Sequence, residues 1–207
     1  MAYKKWKDVD QVKRYALGRY RSWDQRWIDK REKKIVQGLF TKHKIRGIIL
    51  DIPVGSGRFQ PLLSEFGDVL SADLGYMPVL YQKERVGICC GSINANAGQI
   101  PLQTNSVDII FCFRLFQHMH KRKERVAILR EFKRVSKSWV VVSCYLSSVL
   151  HNIHRRIIQQ PSRITILKKR EFKAEINEGG LKLIEMTSVV PGLHANRICL
   201  FSTKGSA

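Results

Sequence analysis

Acidic side chains are scarce in this sequence: 17 Asp and Glu stand against 37 Lys and Arg, a formal net charge of +20 over 207 residues. Charge of that sign and size attracts polyanions and anionic surfaces, so phosphorylated glycolipid, membrane headgroups and nucleic acid are all admissible partners. Long apolar runs are missing as well. No stretch reaches the roughly 18 uninterrupted apolar residues that a membrane-spanning helix needs. The basic N-terminal segment has no apolar core behind it, so no secretory signal is expected. The cysteines, five in number, form no even framework. Cys89, Cys90, Cys112, Cys144 and Cys199 sit in apolar, strand-like runs where a thiol behaves as a small buried hydrophobe, and a reduced, cytoplasmic protein is expected. The Cys89-Cys90 pair has the wrong spacing for tetrahedral zinc, and His118/His120 and His151/His154 have no further ligands near them in sequence, so no metal site is expected. There is no internal repeat and no low-complexity linker. With 44% hydrophobic residues, the chain can build one well-buried α/β domain but not two.

What the sequence does contain is a glycine-rich turn set directly after an apolar strand. Ile48, Ile49 and Leu50 form a short run of the kind buried in a parallel sheet, and Asp51 ends it, at the edge where open α/β sheets bind ligands. Gly55 and Gly57 lack a Cβ, so the turn can bend sharply and bring backbone close to a ligand. Arg58 and Phe59 then open a helix whose first amides are free to meet polar atoms. A second carboxylate, Asp73, ends the next strand 22 positions after Asp51, a spacing suited to accepting hydrogen bonds from both hydroxyls of a ribose. Dinucleotide-binding turns share that acid, but there G-x-G-x-x-G begins straight after the strand and a helix dipole faces a pyrophosphate. Here Gln60 fills the third glycine position and Asp51 would repel a negative ligand, which favours a nucleoside cofactor with cationic groups and no phosphates. S-adenosylmethionine, with its sulfonium and ammonium, fits.

Further along, Asn94-Ala-Asn96-Ala97-Gly-Gln-Ile100-Pro101-Leu102 leads into Ser106-Val107-Asp108 and an apolar strand ending at Phe113. In this order and spacing the chain resembles the class I S-adenosylmethionine-dependent methyltransferases, in particular the type 11-like group that methylates small molecules, lipids and glycans. The resemblance covers about residues 45 to 203. The family's first motif, roughly D-x-G-x-G-x-G, is matched by Asp51, Gly55 and Gly57, with Pro53 at the first glycine position, where it removes a donor and stiffens the turn. Asn96 stands where the family's adenine-contacting acid precedes an L-P-F element. The resemblance implies a cofactor site of Asp51, Pro53, Gly55, Gly57, Asp73, Leu74, Met77, Asn96, Ala97 and Phe113. Asp73 would anchor the ribose, Asp51 and the glycine loop the methionine end, and Met77 would pack on adenine. Asn96 would recognise the adenine amino group through its side-chain carbonyl. His118, just past the fourth strand and facing the transferable methyl, is the candidate base for a hydroxyl acceptor. Arg19 or Arg21 would offer the cofactor's carboxylate a planar bidentate fork.

The expected fold is α/β: a doubly wound, Rossmann-like seven-stranded sheet, whose antiparallel end the family resemblance supplies, with an N-terminal helical cap. One domain spans 1–207, divided into the cap (1–45), the cofactor-binding core (46–145), and a basic substrate segment with the C-terminal strands (146–207). Strands are expected at 47–51, 69–73, 86–90, 107–113, 139–145, 181–190 and 196–203, and helices at 58–66, 76–84, 121–135 and 170–178. One or two amphipathic helices precede them within 4–40, with Trp23 and Trp27 in the buried stripe. Cations gather in 1–46, 114–137 and 151–173, the pieces that would border a substrate opening, and Arg155, Arg156, Ile157 and Ile158 read as an amphipathic helix able to lie on a headgroup layer. The acceptor is expected to be a small molecule or an anionic glycan or lipid headgroup. Phe113-Arg114-Leu115 stands where an Asn-Pro-Pro-Tyr motif would signal base N-methylation, which argues against that chemistry. RNA methylation is the alternative, for which the charge is a fair but insufficient footprint, and a non-catalytic cofactor-binding module is the third reading.

Overall fold

The computed structural model describes residues 6–19, 22–85, 90–147, 164–191 and 195–204. Short apolar runs pair side by side into a seven-stranded sheet of order β3-β2-β1-β4-β5-β7-β6. β1 (Ile49–Asp51), β2 (Val69–Asp73), β3 (Gly91–Asn94), β4 (Val107–Cys112) and β5 (Ser136–Tyr145) are parallel. β7 (Asn196–Ser202) runs antiparallel between β5 and β6 (Lys182–Ser188). The helices are α1 (Val9–Gly18), α2 (Trp23–Lys42), α3 (Gln60–Leu63), α4 (Tyr76–Lys83), α5 (Arg122–Val135) and α6 (Lys169–Glu178). None of the helices among the described residues is long and apolar enough to cross a membrane.

The period-two alternation of strands divides the core into two layers. Ile49, Ile109, Val141 and Leu200 face Val36, Leu39 and Phe40 of α2 and Leu63 of α3. Leu50, Ile110, Val142 and Cys199 face Leu129 and Phe132 of α5 and Phe172 and Ile176 of α6. Each such buried side chain contributes about 1.5 to 3 kcal/mol, and an inward-turned ion pair, Arg125 to Glu175 at 2.6 and 2.8 Å, ties α5 to α6. The outcome that matters for function is positional. The carboxyl ends of β1, β2 and β4 meet at one edge, where the chain order switches direction around β1, the place where sheets of this kind bind ligands.

Four expectations change. The third strand is Gly91–Asn94 rather than 86–90, because pairing sets Asn94 opposite Asp73, so its carboxyl end reaches the ligand edge; residues 86–89 lie outside the described residues. The helix expected at 58–66 contracts to Gln60–Leu63, with Pro61 in its only turn. Cys112, Cys144 and Cys199 are buried, but Cys90 is exposed, and Cys89 is outside the described residues. Trp23 and Trp27 are not buried: they are 77% and 45% exposed, because α2 packs through Glu32, Val36, Leu39 and Phe40, one turn further on. The expected Arg155–Ile158 helix, Arg21, His151 and His154 also fall outside the described residues.

Candidate active site

The loop after β1 is held from two sides. The N–H of Val54 bonds the carbonyl of Ala72 at 2.8 Å, and the N–H of Gly55 bonds Asp73 Oδ2 at 2.9 Å. Gly75 donates to Asp73 Oδ1 at 2.8 Å, so both oxygens of this buried carboxylate are oriented by backbone while each keeps a lone pair for a ligand. Gly55 has φ of +53° and open space where a Cβ would stand. Gly57, at φ +69°, is different: a side chain there would run into Gln82 and Arg85 of the α4 region. Those two side chains clamp the loop, Gln82 Nε2 donating to the Gly55 carbonyl at 3.2 Å and Arg85 Nη1 to that of Ser56 at 3.3 Å. Gly57 therefore serves the clamp, and Gly55 faces the ligand space.

That space is a cavity of about 580 Å³ at the carboxyl edge of the sheet. Asp51, Pro53, Gly55, Asp73, Leu74 and Phe113 line it, and so do Arg19 and His118, which the sequence leaves far apart. The Ile52–Pro53 peptide is cis. A smaller annex of about 40 Å³, lined by Asn96 and Ala97, shares Pro53, Leu74, Leu115 and Met119 with the main cavity. Gly57 and Met77 line neither. Asn96 Oδ1 accepts the N–H of Gly98 at 2.9 Å, which fixes the side chain and leaves the carbonyl one lone pair besides the amide N–H groups.

Electrostatics state what the cavity accepts. Burial, with the Asp73 charge beside it, pushes the Asp51 carboxyl well above the usual carboxylate range against the pull of Arg58. Burial likewise raises Asp73, opposed by the N–H groups of Gly75 and Gly55. Two carboxylates that resist ionising together are a site for a cation, which would restore the charged form.

Arg58 and Arg114 also line the cavity, and both are neutralised from below. Glu32 of α2, fully buried, receives Arg58 Nη1 at 2.7 Å, Arg114 Nη2 at 2.9 Å and Asn196 Nδ2 at 2.7 Å. Asp29 takes Arg58 as well, at 2.7 Å. The Arg58 guanidinium lies 4.2 Å from the centre of the Phe59 ring. Arg114 adopts φ of +60°, a left-handed conformation that costs a non-glycine residue roughly 1 kcal/mol or more. Its N–H donates to Ser143 Oγ at 2.7 Å, and the turn carries residues 115–119 across the cavity.

On that crossing, Phe116–His118 make one 3-10 turn. Burial, then His120, Arg19 and Arg114, hold the His118 imidazole below its ordinary pKa, so it stays neutral and able to accept a proton at physiological pH. Gln117, also buried, approaches His118 Nε2 through its Nε2 at 3.3 Å. The neighbouring His120 is exposed and bonds Thr165 Oγ1 at 2.9 Å instead. The roof over this end is α1 with its flanks: Trp6 ahead of the helix, Tyr15 within it and Arg19 at its C-cap, with Trp6 packed edge-on against Tyr15 at 4.9 Å and Arg19 bonded to the Tyr15 hydroxyl.

The methyltransferase domain family matches residues 50–144, the stretch from β1 to β5. The same fold is found in a magnesium protoporphyrin IX methyltransferase from Synechocystis PCC 6803 solved with S-adenosylhomocysteine (TM-score 0.71, 14% identity, 87% of each chain covered). The chain thus carries a stretch that matches the methyltransferase domain family, in a fold it shares with S-adenosylmethionine-dependent methyltransferases. A protein from Pyrococcus horikoshii OT3 (TM-score 0.68, 16% identity, 89% of this chain and 93% of that one) has the same fold, as does an S-adenosylmethionine-dependent methyltransferase from Aquifex aeolicus (0.63, 17%, 94% and 97%). No curated protein matches in sequence. For S-adenosylmethionine, Asp73 would hold the ribose, Asp51 and the Gly55 turn the methionine end, and Asn96 and Ala97 the adenine. Once bound, S-adenosylmethionine supplies a methyl group made electrophilic by the sulfonium.

Several residues of the site escape a reading along the chain: Trp6, Tyr15, Gln117, the Gln82 and Arg85 clamp, and the Glu32 node. Glu32 left one trace. It sits in the apolar stripe Ile28, Glu32, Ile35, Val36, Leu39 of a helix, and a carboxylate on a buried face must find cations.

Proposed function

We propose that the protein transfers the methyl group to a protic oxygen or nitrogen on a small molecule or on an anionic glycan or lipid headgroup. The observation that carries this reading is the transfer end of the cavity, where α1 roofs a space lined by Trp6, Tyr15, Leu115, Met119 and Ile164, with Arg19 and His118 among its polar groups. A compact acceptor can bury apolar surface there while an anionic group meets Arg19. His118, held neutral, takes the proton of a hydroxyl as its oxygen attacks, a role typically worth about 10²- to 10⁴-fold in rate. An acceptor that is already anionic needs no base, and then the site contributes position and exclusion of water.

The test is to incubate the protein with methyl-labelled cofactor and a cell extract, then to separate RNA, lipid and small-molecule fractions, for wild type and for His118→Ala. Label in the lipid or small-molecule fraction, reduced in the variant while its affinity for S-adenosylhomocysteine is unchanged, supports the proposal. Label confined to RNA assigns the RNA alternative, for which the +20 charge is a fair but insufficient footprint; cofactor binding with no label in any fraction assigns a binding module.

A further inference from the structure

The first two turns of α2 stand in solvent. Residues 22 to 27 are all exposed, and Trp23 and Trp27, four positions apart, share one face at 77% and 45% exposure. Leu17, in the last turn of α1, is 70% exposed. Water rewards none of these side chains, and three such large apolar groups within eleven positions mark an interaction surface rather than scattered surface residues. Exposed cations flank them: Lys13 and Arg14 on α1, and Arg26, Lys30 and Lys34 on α2. Asp29 and Glu32, which would balance these cations, are held by Arg58, which leaves Asp8, Asp10 and Asp24 as the exposed acids of this stretch.

We infer that this corner of the cap docks on an anionic lipid headgroup layer. Tryptophan with a neighbouring leucine suits the boundary between headgroups and acyl chains, and lysine and arginine beside them meet the lipid phosphates. Each cation that reaches an anionic surface adds roughly fivefold to affinity. Nucleic acid is the other polyanion with this charge preference, but it fits less well. Arg31 lies over the Trp27 ring at 5.5 Å, so one stacking face is taken, and a phosphodiester backbone leaves Leu17 in water. Position gives the surface a purpose. Arg19, which lines the cavity, lies between Leu17 and Trp23 in sequence, two residues from the first and so within about 7 Å along the chain. Docking here brings the mouth of the transfer pocket to the bilayer surface, and it deepens the headgroup reading of the acceptor, on which its functional meaning rests.

The experiment uses the whole protein with vesicles of equal parts phosphatidylglycerol and phosphatidylcholine, and with vesicles of phosphatidylcholine alone. Co-sedimentation and the tryptophan emission spectrum are read for wild type, for Trp23→Ser/Trp27→Ser and for Lys30→Ser/Lys34→Ser, and S-adenosylhomocysteine affinity is measured on the same preparations. Wild type should bind the phosphatidylglycerol vesicles at least about tenfold more tightly than the neutral ones, with a blue-shifted emission that high salt reverses. Both double variants should lose about tenfold or more while binding the cofactor product normally. Equal binding of wild type and the Trp variant, equal binding to neutral vesicles, or no vesicle binding overturns the inference. So does binding to single-stranded RNA in place of vesicles, or a dimer that the Trp variant disperses. Vesicle binding without any binding of S-adenosylhomocysteine would instead count against the methyltransferase reading and leave the surface standing.

Discussion

Glu32 on the cap helix and Arg114 at the end of β4, 82 positions apart, are joined by two hydrogen bonds of 2.9 and 3.2 Å beneath the cavity floor. The same carboxylate holds Arg58, so a pocket for a cationic cofactor keeps two arginines in its wall without their repulsion. Glu32→Gln should expose that repulsion. At an effective dielectric of about 20, a charge roughly 10 Å away acts with about 1.5 kcal/mol, or about tenfold in affinity. S-adenosylmethionine carries one positive charge more than S-adenosylhomocysteine. Calorimetry should therefore show the first losing about tenfold more affinity than the second. A parallel loss of both would reduce Glu32 to a purely structural part.

Asp51 links cofactor binding to pH. Its folded pKa is raised above the unfolded value by burial and by Asp73, so the native apo protein holds a proton that the unfolded chain releases. The stability contribution is then complete below the unfolded carboxylate pKa and is lost as pH rises toward the raised one. Melting curves from acid to neutral pH should show wild type falling behind Asp51→Asn as pH increases. Over the same window wild-type affinity for S-adenosylmethionine should strengthen with pH, and the Asn variant should stay weak throughout. Parallel melting profiles would contradict this account of Asp51.

Much of the site was legible because strand ends and glycine turns are local signals. Asp51, Gly55 and Asp73 are each fixed by a short apolar run and the residue that ends it, and the structure brings them to one cavity. Residues whose role depends on a distant partner were not legible. A helical period says that Trp23 and Trp27 share a face, but which face the core takes is decided by Val36, Leu39 and Phe40 on the same helix. Gly91–Asn94 carries no strand signal of its own along the chain, and its place as the third strand is set by pairing with Leu70–Asp73 of β2. Gly57 reads from sequence as a close approach to ligand, whereas its neighbours are Gln82 and Arg85.

That last difference is measurable. Alanine at either Gly55 or Gly57 meets a left-handed backbone, at about 1 to 2 kcal/mol. Only Gly57→Ala also pushes aside the α4 clamp, and only Gly55→Ala points a methyl group into open ligand space. Gly57→Ala should show the larger fall in melting temperature, and Gly55→Ala the larger fall in affinity for S-adenosylhomocysteine. The reverse order in both measurements would return Gly57 to the ligand side.

The central claim is that the carboxylate of Asp73, oriented by the N–H groups of Gly55 and Gly75, holds the cofactor. Titration calorimetry with S-adenosylhomocysteine on wild type and Asp73→Ala tests it most directly. The account predicts a measurable affinity in wild type and a loss in the variant of at least about 1.5 to 3 kcal/mol, the worth of hydrogen bonds to a charged group, or about tenfold or more. Equal affinities in the two proteins, or no binding by wild type, would contradict it.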